Sequence, residues 1–99
     1  MTHIAITRIA LKPGNNQRMQ EAVQELLEAR RPLLGGDLRS MHVVRSANSD
    51  EYALISVWAS TEADARHEND TAERQAAERI GPVVAVAPVE FAGEVIAGL

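Results

Sequence analysis

Apolar residues in the first segment, His3 to Leu11, fall on both parities: Ile4 and Ile6 on one, Ala5, Ile9 and Leu11 on the other. A strand with one wet side would alternate, so this pattern predicts a central strand covered on both faces. Pro13-Gly14 stops it, and Asn15 or Asn16 is placed to cap the next element. The period then changes. Met19, Ala22, Val23, Leu26 and Leu27 recur at i, i+3, i+4, i+7 and i+8, with Gln20, Glu21, Gln24, Glu25 and Glu28 on the other side. That spacing predicts an amphipathic helix of about four turns. Glu21 and Glu25 are expected to favour the positive end of its dipole, and Arg30 and Arg31 to close its C-terminal end. Pro32 and Gly35-Gly36-Asp37 then turn the chain.

Leu38 to Arg45 reads as a second strand, with Met41 and Val43 on one face and Leu38, His42 and Val44 on the other. Ala47-Asn48-Ser49-Asp50 supplies hairpin chemistry, and Tyr52 to Ala59 returns as a third strand, again apolar on both sides. Thr61 with Asp64 resembles a capping box. The stretch Thr61 to Ile80 is polar and Ala-rich, and Asn69-Asp70-Thr71 can cap a fresh turn, so two short helices are expected. Pro88 marks an irregular join before a last strand, Val89 to Ile96. Arg39 and Arg45 have Glu90 or Glu94 as available cross-strand partners.

The order β-α-β-β-α-β predicts an α+β, ferredoxin-like split antiparallel sheet with helices on one face. Strands that are apolar on both sides would then leave a bare face larger than a monomer normally exposes. Two such faces meeting in a homodimer would cover it.

Ninety-nine residues suit one domain spanning 1–99. A formal charge of −4, from ten Lys and Arg against fourteen Asp and Glu, disfavours nucleic acid as a partner. Without cysteine there is no thiol nucleophile and no disulfide. His3 and Arg8 interrupt the first apolar segment, so neither a signal peptide nor a membrane span is expected, and a cytoplasmic setting is the default. The aromatic residues are few: Tyr52, Trp58 and Phe91.

Lys12-Pro13-Gly14 leading into the first helix, the turn at Gly36, and Trp58-Ala59-Ser60-Thr61-Glu62-Ala63 followed by His67 resemble the antibiotic biosynthesis monooxygenase family of dimeric α/β barrels. The resemblance runs from about Ile4 to Ile96. It implies a pocket in each subunit between the sheet and its own helices, beside a barrel shared by two chains. It also implies oxidation of a quinol-like or polyphenolic aromatic by dioxygen without metal, haem or flavin, the substrate supplying the electrons. The sequence departs from some members. Leu54 stands where polyketide-oxidising relatives carry Asn, and Thr7 where haem-degrading relatives carry Asn. No histidine lies between Glu68 and Ile80, where haem-degrading relatives place their iron ligand.

Within that frame Trp58 is a core anchor or the wall for a flat ligand, Leu54 a further wall residue, and Thr7 a half-buried strand residue or a polar contact. His67, on the helix face of Ala63 and Asp70, is a candidate base, since a free imidazole is half-protonated near neutral pH. His42 shares the cavity with His67 if its face meets the helices, and lies at the dimer contact if it does not. Scattered histidines without H-x-x-x-H spacing do not predict a metal site. The alternatives to an oxygenase are a non-catalytic dimer that shelters a small molecule and a haem-binding protein.

Overall fold

Strand β1 (His3–Ala10) runs through the interior of the sheet, as its two-sided apolar pattern requires, in the computed structural model, which describes residues 1–99. It is followed by α1 (Asn16–Arg30), β2 (Leu38–Arg45), β3 (Glu51–Trp58), α2 (Thr61–His67), α3 (Thr71–Ile80) and β4 (Val89–Glu94). Single 3₁₀ turns at Arg31–Leu33 and Gly81–Val83 close α1 and α3. The strands lie in the order β2-β3-β1-β4, every neighbouring pair antiparallel. This is the α+β, ferredoxin-like sheet expected from the element order. No helix is long and apolar enough to cross a membrane.

Several local expectations change. Ser60, not Thr61, caps α2: its extended backbone lets the hydroxyl accept from the Ala63 amide at 3.1 Å. Asp70 caps α3 as expected, accepting from the Glu73 amide at 3.0 Å. At α1, Asn15 occupies the capping position without a side-chain cap, its amide instead donating to the Lys12 carbonyl at 2.9 Å. The side chain of Asn16 is engaged elsewhere, accepting from the Tyr52 hydroxyl at 2.6 Å. Glu21 and Glu25 lie beyond the first turn of α1 and both pair with Arg79, which ties α1 to α3.

A bulge between Leu38 and Ser40 corrects the parity of β2. The extra residue puts Leu38 on the same face as Met41 and Val43 and leaves Ser40, His42 and Val44 on the other. The pairing of Arg39 and Arg45 with Glu90 or Glu94 is also ruled out, because β2 and β4 form opposite edges of the sheet. Arg8 makes a charged cross-strand contact instead, donating to Glu51 at 2.7 Å. The last strand stops at Glu94, short of Ile96.

Both buried clusters draw their strand residues from one face, so the helices pack there. One joins Leu11, Met19, Ala22, Tyr52, Ile80 and Val83; the other joins Leu38, Trp58 and Ala63. The opposite face carries rows such as His42–Ile55–Ile6–Phe91, and Phe91 is 71% exposed. Asp37, in the turn before β2, binds α2 to the sheet. It accepts from Arg66 at 2.7 Å and from His67 Nε2 at 2.9 Å, and its backbone is fixed by the Ala59 N–H donating to its carbonyl at 2.8 Å.

Two substitutions probe stability. Leu38→Ala, at a side chain 1% exposed, is expected to lower unfolding free energy in urea by about 2–5 kcal/mol. The Arg66 and His67 hydrogen bonds hold the Asp37 carboxyl down at about 2, below its ordinary 3.8. A depressed carboxylate stabilises the fold above the unfolded-state value and loses that contribution as pH falls through the folded one. Asp37→Asn is therefore expected to flatten the acid limb of a thermal-stability profile between about pH 4 and pH 2.

Candidate functional site

Between the two buried clusters the helices stand away from the sheet. Ala76 and Ala77 are what α3 presents there, and side chains this small do not fill the interval. A cavity of about 400 Å³ results, inside the range of small-molecule sites. Its floor is a set of cross-strand rows. Leu54 pairs with Thr7 and Thr7 with Glu90; Ser56 pairs with Ala5 in the next row; Trp58 closes the end. The roof comes from Met19, Val23 and Leu26 of α1 and from Ala76, Ala77 and Ile80 of α3.

Three of the residues singled out in the sequence, Thr7, Leu54 and Trp58, line this space together. The histidines do not. His67 lies beside Trp58 outside the lining, its ring stacked on the indole at 5.5 Å and 12°. Its Nε2 meets Asp37 at 2.9 Å and its Nδ1 lies 3.8 Å from Asp70. It packs against Trp58 instead of lining the cavity. His42, paired with Ile55 in β2, is exposed on the face away from the helices and is not brought near His67.

Sequence reasoning missed the polar end of the cavity. Arg30 is only 6% exposed although charged, and it lines the cavity with its guanidinium 5.6 Å from the centre of the Trp58 ring. It donates to both oxygens of Asp70, to the His67 carbonyl at 3.3 Å, and lies 3.6 Å from the Glu73 carboxylate. A buried cation is tolerable only with such partners. The signal was present in the periodicity: Arg30 follows Leu26 by four residues and so continues the apolar stripe of α1.

His3 was likewise overlooked. It pairs with Trp58 across β1 and β3, is 6% exposed, and its Nε2 meets the cavity residue Asp64 at 2.8 Å while Nδ1 lies 3.4 Å from the Thr61 hydroxyl. The two half-buried carboxyls differ in charge preference. Burial pushes Asp70 up, but the Glu73 amide and the Arg30 guanidinium outweigh it and hold Asp70 below the usual range. Burial raises Glu73 above it; the Asn69 amide and Arg30 oppose this, and the like charges of Asp70 and Asp64 add to it. The indole N–H of Trp58 is buried without an acceptor. No cluster of His, Asp and Glu is arranged to hold a metal ion. The lining offers apolar contact from Leu54, Trp58, Met19 and Ile80 and a polar end at Arg30 and Glu73.

Comparison with known proteins agrees with this architecture. The Rv0793 protein of Mycobacterium tuberculosis superposes with a TM-score of 0.86 at 14% identity, covering 99% of this chain and 98% of that one. A crystal structure of an antibiotic biosynthesis monooxygenase gives 0.84 at 13% identity, covering 98% and 100%. A conserved protein from Methanosarcina mazei Go1 gives 0.82 at 11% identity, covering 94% and 91%. No curated protein matches the sequence. The sequence profile of antibiotic biosynthesis monooxygenases matches residues 2–79, from β1 almost to the end of α3, and the chain belongs to that family.

Proposed function

We propose that this protein is a cofactor-independent monooxygenase that oxidises a quinol-like or polyphenolic aromatic with dioxygen. The observation that carries the reading is the apolar cavity of about 400 Å³ backed by Trp58, in a chain of this family. Its position between sheet and helices suits a ring laid against the indole, with Thr7 as a polar contact and Leu54 as a wall. An ionised electron-rich phenol can pass one electron to dioxygen, and a dry pocket keeps the resulting radical pair from water. One oxygen atom then enters a ring carbon, as the second quinone oxygen where the substrate is a monophenol and as the added oxygen of a hydroxyquinone where it is a quinol. The other leaves as water with the two hydrogens lost by the phenol. His67 is assigned the positioning of Trp58, and His42 a place at the contact between copies.

That contact is part of the reading. Ile4, Ile6, Ile55, Val57, Val89 and Phe91 share the open face of the sheet, with Val89 60% and Phe91 71% exposed. A second copy laid face to face would cover them, a stable pair burying about 800 Å² on each side. A second functional reading, a dimer that binds an aromatic without turning it over, draws on Leu54, an aliphatic side chain at the centre of the cavity floor between Val43 and Thr7.

Oxygen uptake with a panel of phenols and hydroquinones, in chelator-treated buffer, tests the reaction: label from isotopic dioxygen is expected in the quinone. Ligand quenching of Trp58 fluorescence with no uptake from any of them would leave the binding reading. His67→Ala is expected to raise KM with kcat unchanged, since a stacked pair is worth about 0.5–1.5 kcal/mol, about two- to tenfold in affinity. By analytical ultracentrifugation the wild type is expected to sediment as a dimer and Phe91→Glu as a monomer.

A further inference from the structure

The polar groups on the cavity wall are unequal in sign. Arg30 is the one cation, against Asp64, Glu73 and Glu90. Its charge is already matched by Asp70, on which it makes a two-pronged contact. Asp64 is held by His3 at 2.8 Å. A carboxylate or phosphate guest would therefore meet a wall with surplus negative charge, whereas a neutral phenol would not.

Glu90 has no partner but is exposed on β4, whereas Glu73 is the half-buried acidic group beside Arg30 with an oxygen to spare. It sits in the first turn of α3, half-buried, and lines the cavity. One carboxylate oxygen accepts from the Asn69 amide at 3.2 Å and lies 3.6 Å from Arg30. The other candidate bases are placed badly: His67 stands outside the lining beside Trp58, and His42 is on the opposite face of the sheet.

We propose that Glu73 takes the hydroxyl proton of a neutral phenol bound in this cavity, so that the phenolate replaces the Glu73 carboxylate as the negative charge beside Arg30 and the net charge of the wall is unchanged. The inference rests on the reading that the occupant is phenolic. The step moves one proton and no electrons. The phenol O–H bond breaks, a carboxylic O–H bond forms on Glu73, and the negative charge passes to the phenolate oxygen. Burial of Glu73 supports it, because a carboxyl raised toward the phenol range is a better-matched base. The charged and titratable groups around Glu73 are Arg30 of α1, Asp64 and His67 of α2, the Asp70 cap, Glu90 of β4, and His3 of β1 through Asp64.

Resorcinol, neutral and slow to oxidise below pH 8, is the probe, and quenching of Trp58, the only tryptophan, reports its binding. Between about pH 4 and pH 8 the wild-type affinity is expected to rise about tenfold as Glu73 ionises, since a hydrogen bond to a charged acceptor is about twice as strong as a neutral one. Glu73→Gln is expected to bind without that rise, and Glu73→Asp to keep it with a shifted midpoint. The same rise in Glu73→Gln as in wild type overturns the proposal, as does a wild-type profile that is flat or shows no binding. Should Glu73→Gln fail to fold, an unshifted midpoint in Glu73→Asp overturns it. With an oxidisable quinol near pH 8, Glu73→Gln is expected to lower kcat about a hundredfold or more, beyond the rise of about tenfold in KM that its weaker binding brings. A Glu73-dependent resorcinol profile in a wild type that consumes no oxygen refutes the oxygenase and leaves this assignment standing. Equal turnover by wild type and Glu73→Gln does the reverse.

Discussion

A guanidinium taken out of water organises this molecule. Arg30 ends α1 with its charge 6% exposed, a placement that would be severely destabilising without partners. Its partners come from three other elements: the Asp70 cap and Glu73 of α3, the carbonyl of His67 at the end of α2, and the indole at the end of β3. The same contact that neutralises the charge thus fixes where α1, α2 and α3 sit over Trp58. At the far end of the layer Met19, Ala22, Tyr52, Ile80 and Val83 do the equivalent by apolar packing. The helix layer is pinned at both ends, α3 offers only alanine bulk between them, and the cavity occupies the interval.

The sheet beneath works differently on its two sides. Its helix-facing rows supply the cavity floor and the buried clusters. Its other rows, with Ile6 between Ile55 and Phe91, are as apolar but have no helix over them. Apolar patches of that kind mark contact surfaces. His42 lies in this second system, and the bulge at Leu38–Ser40 is what separates Leu38 from it. One inserted residue decides which face a strand residue serves.

The element order, the interior position of β1 and the break between α2 and α3 were legible in the sequence because periodicity and turn chemistry report them locally, whereas Thr7, Leu54 and Trp58 were singled out through the family resemblance. The bulge was not legible, since nothing about Arg39 as a residue type announces an unpaired position. Arg39 and Arg45 were matched to the wrong partners because edge-to-edge distance depends on strand order, a property of the whole sheet. Glu21 and Glu25 read as dipole partners, yet Arg79 lies across from them only once α3 has docked. Arg30 does end α1 as expected, but a basic residue in the last turn of a helix satisfies a local rule, and that rule hid its place on the apolar stripe. Burial raises Glu73, with the like charges of Asp70 and Asp64 adding to it and the Asn69 amide and Arg30 opposing it, surroundings that only the folded chain assembles.

The claim on which all of this converges is that an aromatic guest enters between α1, α3 and the sheet, against the indole. Titrating isotope-labelled protein with a polyphenol while following amide and indole N–H resonances tests it directly. The account predicts that the single Trp58 indole signal, and the amides of Thr7, Leu54 and Glu73, shift together and saturably. Shifts confined to Ile6, Ile55 and Phe91 on the open face, with the indole signal unmoved, would contradict it.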